Sequence, residues 1–159
     1  MSKVATLPLK NSAPDLAASY RQALKSIERL EARIHDLVRI ELDQGASEIN
    51  SVQAFLLYKI GDSEMSAAEI RRRGIYLGSN VTYNLKKLTE LGYISRSGVR
   101  GDKRLVQIKL SDKGKSVANT VGDLVERLVR RSSLPIDELL QFVQTAERLE
   151  HDWLASIRG

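Results

Sequence analysis

Apolar positions recur along the chain with two periods, and the switch between them marks out its elements. Leu16, Tyr20, Ala23, Ile27, Leu30, Ile34 and Leu37 are spaced by alternating steps of four and three residues. That is the 3.5-residue repeat of helices packing along one seam, and it predicts a helix over 15–43, ended by Gly45. Residues 48–60, EINSVQAFLLYKI, are apolar on most sides, which predicts a central helix closed by Gly61. In SAAE, Ser66 to Glu69, a hydroxyl and a carboxylate three residues apart can each satisfy a free backbone N–H of the other. This capping box predicts a short helix ending near Arg73 and Gly74. After a turn, Val81, Leu85, Leu88 and Leu91 share one face of a further helix that stops at Gly92.

From Tyr93 the pattern alternates. Ile94 and Arg96, then Leu105, Val106, Ile108 and Leu110, predict two short strands joined around Gly101 and Asp102. Helical spacing returns after Ser111 through Val117, Val121, Leu124 and Leu128, and SSLP interrupts it. Pro135 suits a first helical turn, and Asp137 and Glu138 suit its positive end. The last helix carries Ile136, Leu139, Leu140, Val143, Trp153, Leu154 and Ile157. The predicted order is helix, helix, short helix, polar helix, hairpin, helix, helix. A short helix, a turn and a polar helix make a helix-turn-helix, and the following hairpin makes it winged. The fold class is therefore mainly α with a small β-hairpin wing.

The face of the polar helix opposite its apolar stripe carries Ser79, Tyr83, Lys86 and Lys87, with Asn80 and Thr82 at its edges. A helix that enters the DNA major groove needs an apolar back and a polar front, and its N-terminal turns meet the bases. Asn pairs with adenine, Ser and Thr donate or accept, and a Thr methyl or Tyr ring meets a thymine methyl. Lys86 and Lys87 come later, where phosphates flank the groove. An ordinary surface helix tolerates the same residues, so the hairpin and the local charge decide. Residues 66–104 hold nine cations and three acids, an excess of +6 within a chain of net +5, leaving −1 for the other 120 residues. A neutral body with one basic segment is the footprint of a polyanion binder.

The hairpin tip, RGDKR, adds Arg100, Lys103 and Arg104 to the DNA-facing set. An arginine suits a narrow, negative minor groove, and Asp102, two residues before Arg104, is placed to orient it through a bidentate pair. The alternative is a plain surface salt bridge of about 0–1 kcal/mol.

The segment DKRLVQIKLSDKG, with Asp102, Arg104, Ile108, Leu110, Ser111 and Gly114 in register, resembles the wing signature of the MarR family of winged-helix transcriptional regulators. The stretches MSAAEI and SNVTYNLKKLTELGYISR resemble that family's helix-turn-helix. The resemblance implies a homodimer held by N- and C-terminal helices, two winged lobes reading a pseudo-palindrome in double-stranded DNA, and a small aromatic or anionic effector between platform and lobes. It divides the chain into a flexible arm (1–14), an N-terminal dimerisation helix (15–47), the winged lobe (48–114) and C-terminal helices completing the dimer interface (115–159). Tyr20, Arg21, His35, Arg39 and Tyr58 are the polar and aromatic groups on the helices where family effector pockets lie. Each reads more readily as a surface or packing residue than as a ligand contact. The 16–37 seam likewise reads as intramolecular core or as dimer contact, and its strict period, with the similar stripe at the C-terminal end, favours the dimer.

The chain has no cysteine, so disulfides, thiolate zinc sites and thiol redox sensing are excluded, unlike in the family's oxidation-sensing members. His35 and His151 lie in no catalytic or metal motif, so no enzyme activity, metal or cofactor is expected. No apolar run reaches membrane-spanning length, and MSKVATLPLKNSAP lacks the apolar centre of a signal peptide. The expected location is cytoplasmic, without membrane association. The competing reading is a winged-helix protein-interaction module without specific DNA binding.

Overall fold

The computed structural model describes residues 15–43, 48–73, 80–99 and 102–158, with side chains at all of these except 99, 102–105 and 158. The expected arm at 1–14 lies outside the described residues. The elements run α1 (Leu16–Asp43), α2 (Ser51–Ile60), α3 (Ala67–Arg72), α4 (Val81–Glu90), β1 (Ile94–Val99), β2 (Asp102–Leu110), α5 (Asp112–Arg131) and α6 (Ile136–Arg158). The chain divides into two compact units, 1–122 and 123–159, with the boundary inside α5. None of the described helices is long and apolar enough to cross a membrane.

In the first unit the core draws on every element. Val38 and Leu42 of α1, Ala54, Leu56, Leu57 and Ile60 of α2, and Ile70 of α3 are buried. So are Val81, Leu85 and Leu88 of α4, Ile94, Ile108 and Leu110 of the hairpin, and Ala118 and Val121 of α5. Helix α2 begins at Ser51, later than the apolar run suggests, because Asn50 caps it. Its Oδ1 accepts from the Gln53 N–H at 2.9 Å, and the Gln53 Oε1 accepts from the Asn50 N–H at 3.2 Å. The predicted box at α3 forms in the same way: the Ser66 Oγ accepts from Glu69 at 3.2 Å, and the Glu69 Oε2 accepts from Ser66 at 2.8 Å.

Helix α4 ends where Gly92 adopts φ +77°. There the Gly92 N–H reaches the Thr89 carbonyl at 3.0 Å and the Tyr93 N–H reaches Leu88 at 2.9 Å, the paired bonds of a Schellman stop. The strands are antiparallel, with Ile94 opposite Leu110 and Arg96 opposite Ile108, and the register shifts between Gly98 and Val99. Periodicity did not reveal one link, a bridge between Met65 and Ile108. Its two backbone bonds of 3.1 and 2.9 Å tie the start of the helix-turn-helix to the wing.

Among the described residues, the 3.5-residue seam of α1 is only partly covered, with Ala23, Ile27 and Ile34 half-buried. Val38 and Leu42 lie off that seam, whereas Leu30 and Leu37 on it are exposed. In the second unit, α6 carries Asp137 and Glu138 in its first turn, and the Pro135 carbonyl accepts from the Leu139 N–H at 3.3 Å. Its large apolar residues, Leu139, Leu140, Phe142 and Val143 among them, are all exposed or half-exposed.

Candidate nucleic-acid interface

Helix α4 has the two-sided character expected of a reading helix, and its back is pinned by more than apolar contact. Asn84 lies among Val81, Leu85 and Leu88 and is 6% exposed. The Gln53 Nε2 donates to its Oδ1 at 3.0 Å. Gln53 is itself buried, with its Oε1 already held by the α2 cap. One glutamine therefore both starts α2 and fixes α4. Leaving such a buried amide unpaired costs about 1–3 kcal/mol, which makes the pair a positional constraint on the helix. Asn84 is not among the residues that the sequence patterns single out. Its spacing of three from Val81 and four from Leu88, which puts it on the apolar face, was the available signal.

On the front, Asn80 is exposed at the N-cap position and makes no side-chain capping bond. Thr82 is exposed, and its Oγ1 accepts from the Arg71 Nη2 of α3 at 2.8 Å. Tyr83 is 65% exposed. Lys86 lies 3.9 Å from Glu90 in a solvent-facing pair, and Lys87 is half-buried at the end of the helix. Asn80, Thr82, Tyr83 and Lys86 thus share the outer surface of one short helix. Ser79 lies outside the described residues.

Arg100 also lies outside the described residues. Asp102, Lys103 and Arg104 are placed along β2, but the expected Asp102–Arg104 side-chain pair lies outside what is described. Exposed Arg96 adds a further cation on β1. The base of the wing is defined in detail. The Ser111 Oγ donates to the Gly92 carbonyl at 2.6 Å and accepts from the Gly114 N–H at 3.2 Å. A Cβ on Gly114 would run into the Tyr93 carbonyl. Lys113 donates to the Leu91 carbonyl at 3.0 Å, pairs with Glu48 at 3.3 Å and stands 4.3 Å over the Tyr93 ring. The latter half of the wing signature therefore clamps the end of α4, the start of β1 and the start of α5 together.

The α3 arginines are divided between partners. Glu69 lies 3.7 Å from Arg72 and 3.8 Å from Arg73, while Arg71 crosses to α4. The Glu69 carboxyl is held below its ordinary value, chiefly by the hydrogen bond from the Ser66 backbone N–H. Partial burial opposes this, and the Ser66 hydroxyl and the charges of Arg73 and Arg72 reinforce it.

The candidate effector residues on α1 fall at two places, Tyr20 and Arg21 near its start and His35 and Arg39 near its end. Tyr20 and Arg39 are separated by about 28 Å of helix at 1.5 Å per residue. Arg21 lies 4.0 Å from Asp15, and Arg39 lies 3.3 Å from Asp36 and 3.9 Å from Asp43. The His35 Nδ1 is 3.0 Å from the Ser51 Oγ, and its ring meets Phe55 edge-on at 5.4 Å, so it packs α1 on α2. Tyr58 lies beside Gly122, where an added Cβ would sit 3.6 Å from its ring. A cavity of about 200 Å³ is lined by Gly61, Asp62, Leu110, Lys115, Ala118 and Asn119, and none of the five candidates belongs to it.

Residues 49–114 match the family described as a winged helix DNA-binding domain. The chain is 34% identical over 143 residues to the exopolysaccharide II synthesis transcriptional activator ExpG of Rhizobium meliloti (strain 1021), covering 87% of this chain and 74% of that protein. The structure of reduced AbfR bound to DNA superposes with a TM-score of 0.65 at 22% identity, covering 85% of this chain and 94% of that one. A MarR family protein from Bacillus stearothermophilus superposes with a TM-score of 0.59 at 18% identity, covering 89% and 99% respectively. At such identities the two structural likenesses speak for the fold.

Proposed function

The chain belongs to the MarR family of winged-helix transcriptional regulators, and from that premise we propose that it is a homodimer reading a pseudo-palindromic operator in double-stranded DNA. The observation that carries the proposal is α4, where exposed Asn80, Thr82 and Tyr83 stand at the N-terminal end of a helix whose back is locked by the buried Gln53–Asn84 bond. In this reading Asn80, Thr82 and Tyr83 meet bases, and Ser79, Lys86, Lys87 and the wing cations Arg100, Lys103 and Arg104 complete the contacts. Asp102 orients Arg104. The open seam of α1 and the exposed apolar face of α6 serve as the dimer platform, since apolar surface of this extent on a small domain calls for a partner. Likeness to ExpG favours activation of transcription, in the cytoplasm where the DNA is. The absence of cysteine points control away from thiol oxidation and toward a small aromatic or anionic effector. Because Tyr20 lies about 28 Å from Arg39 along α1, a single site using all five residues would draw on both chains of the dimer.

The test begins with duplexes enriched from a random pool by the full-length protein. Asn80→Ala is expected to lose about 1–3 kcal/mol on the enriched duplex and little on random DNA. Lys87→Ala is expected to weaken both alike and lower the salt slope by about 1. If no duplex were enriched, the protein-interaction reading would stand in its place.

A further inference from the structure

Thr82 does not present an isolated hydroxyl. The guanidinium of Arg71, from the last turn of α3, donates to it at 2.8 Å, and both residues are exposed. Arg72 and Arg73 are drawn back along their own segment by Glu69, so adjacent arginines do different things. A threonine hydroxyl has one proton and two lone pairs, and rotation lets it serve as donor or acceptor. Arginine offers donors only. When a cationic donor takes one lone pair, the bond is charge-assisted, the hydroxyl proton must point away from the guanidinium, and the O–H bond is polarised toward donation.

We propose that Arg71 is a positioning residue that fixes Thr82 as a hydrogen-bond donor on the reading face of α4. The base edge opposite Thr82 is then selected for an acceptor in the major groove, the O4 of thymine, the O6 or N7 of guanine or the N7 of adenine, and against cytosine, whose edge offers only an amino donor. This rests on the DNA-reading function proposed above and adds to it a residue of α3 that acts through another side chain.

The experiment compares full-length wild type, Arg71→Ala, Thr82→Val, Thr82→Ser and the Arg71→Ala/Thr82→Val double variant on duplexes enriched by the wild type. Each base pair of a half-site is varied in turn. Thr82→Val removes the hydroxyl at near-constant volume, and Thr82→Ser keeps it. Arg71→Ala and Thr82→Val are expected to relax preference at the same single position per half-site, each weakening the enriched duplex about tenfold. The Arg71→Ala effect should fall below about twofold in the Thr82→Val background, because residues acting as a unit are non-additive. Thr82→Ser should keep both the preference and its dependence on Arg71. Melting temperatures should be nearly unchanged, since both side chains are exposed. If Arg71→Ala instead weakened every duplex equally, lowered the salt slope by about one and cost the same in both Thr82 backgrounds, Arg71 would be a phosphate contact and the proposal would be overturned. Failure of the wild type to enrich any sequence would remove the DNA-reading function itself, and this inference with it.

Discussion

In the winged lobe, Leu57, Ile70 and Leu88 are fully buried, whereas in α6 Leu139, Leu140, Phe142 and Val143 are 44–53% exposed. Both regions are amphipathic, and both expose polar residues on the opposite face. They differ in whether the chain supplies something to cover the apolar side. In the lobe, α2, α3, α4 and the hairpin cover one another. Helix α1 shows both behaviours within one element: Val38 and Leu42 are buried, while Leu30 and Leu37 remain at the surface. A hydrophobic period thus establishes that a face will be buried without saying against what. Where the chain leaves a regular apolar face open, a second copy is the natural candidate to cover it.

That contrast can be broken at its strong end first. Leu57→Ala, at a site with no exposure, should lower the free energy of unfolding in urea by about 2–5 kcal/mol. The same truncation at Leu140 of α6 should cost far less when chain concentration is low enough to favour monomer. Equal losses at the two positions would mean that α6 is as closed as the lobe. The buried polar link is the next lever. Asn84→Leu should destabilise by about 1–3 kcal/mol by leaving the Gln53 amide without this partner. Adding Gln53→Leu should not restore DNA affinity, because the constraint on α4 would still be missing. The smallest effect concerns Glu69. Its carboxyl is depressed in the folded state, so its contribution is fully present above the ordinary glutamate pKa of about 4.3 and is lost as pH falls through the folded value. The Tm difference between wild type and Glu69→Gln should be full near about pH 6 and shrink as pH falls through the lowered folded value.

Much of this arrangement was legible in the sequence because it rests on local rules. The 3.5-residue steps of α1, the SAAE box of α3 and the alternation around Ile108 each determine an element over a few residues. The lobe's less legible features depend on partners distant in sequence. Gln53 and Asn84 are 31 residues apart, and although spacing puts Asn84 on the apolar face of α4, nothing local names its partner. The Met65–Ile108 bridge joins a single residue to a strand, too short to show a period. Asn50 looked like part of a longer α2 because its capping role depends on Gln53 as well as on itself. Gly114, in contrast, was visible as a signature residue, and its reason emerged only when the Tyr93 carbonyl was found against it. The proposed effector residues were chosen by the helices that carry them. Position along a helix does not bring side chains together, and Tyr20 and Arg39 lie too far apart on α1 to share a small site within one chain.

The most direct test is the mass of the protein–DNA complex, measured by light scattering with a duplex enriched from a random pool. Two chains per duplex are expected for the wild type. Phe142→Glu, which places a charge on the exposed apolar face of α6, is expected to give free monomer and to abolish the two-chain complex while the winged lobe stays folded. A single wild-type chain holding the enriched duplex with full affinity, unaffected by Phe142→Glu, would contradict the dimeric reading of α1 and α6.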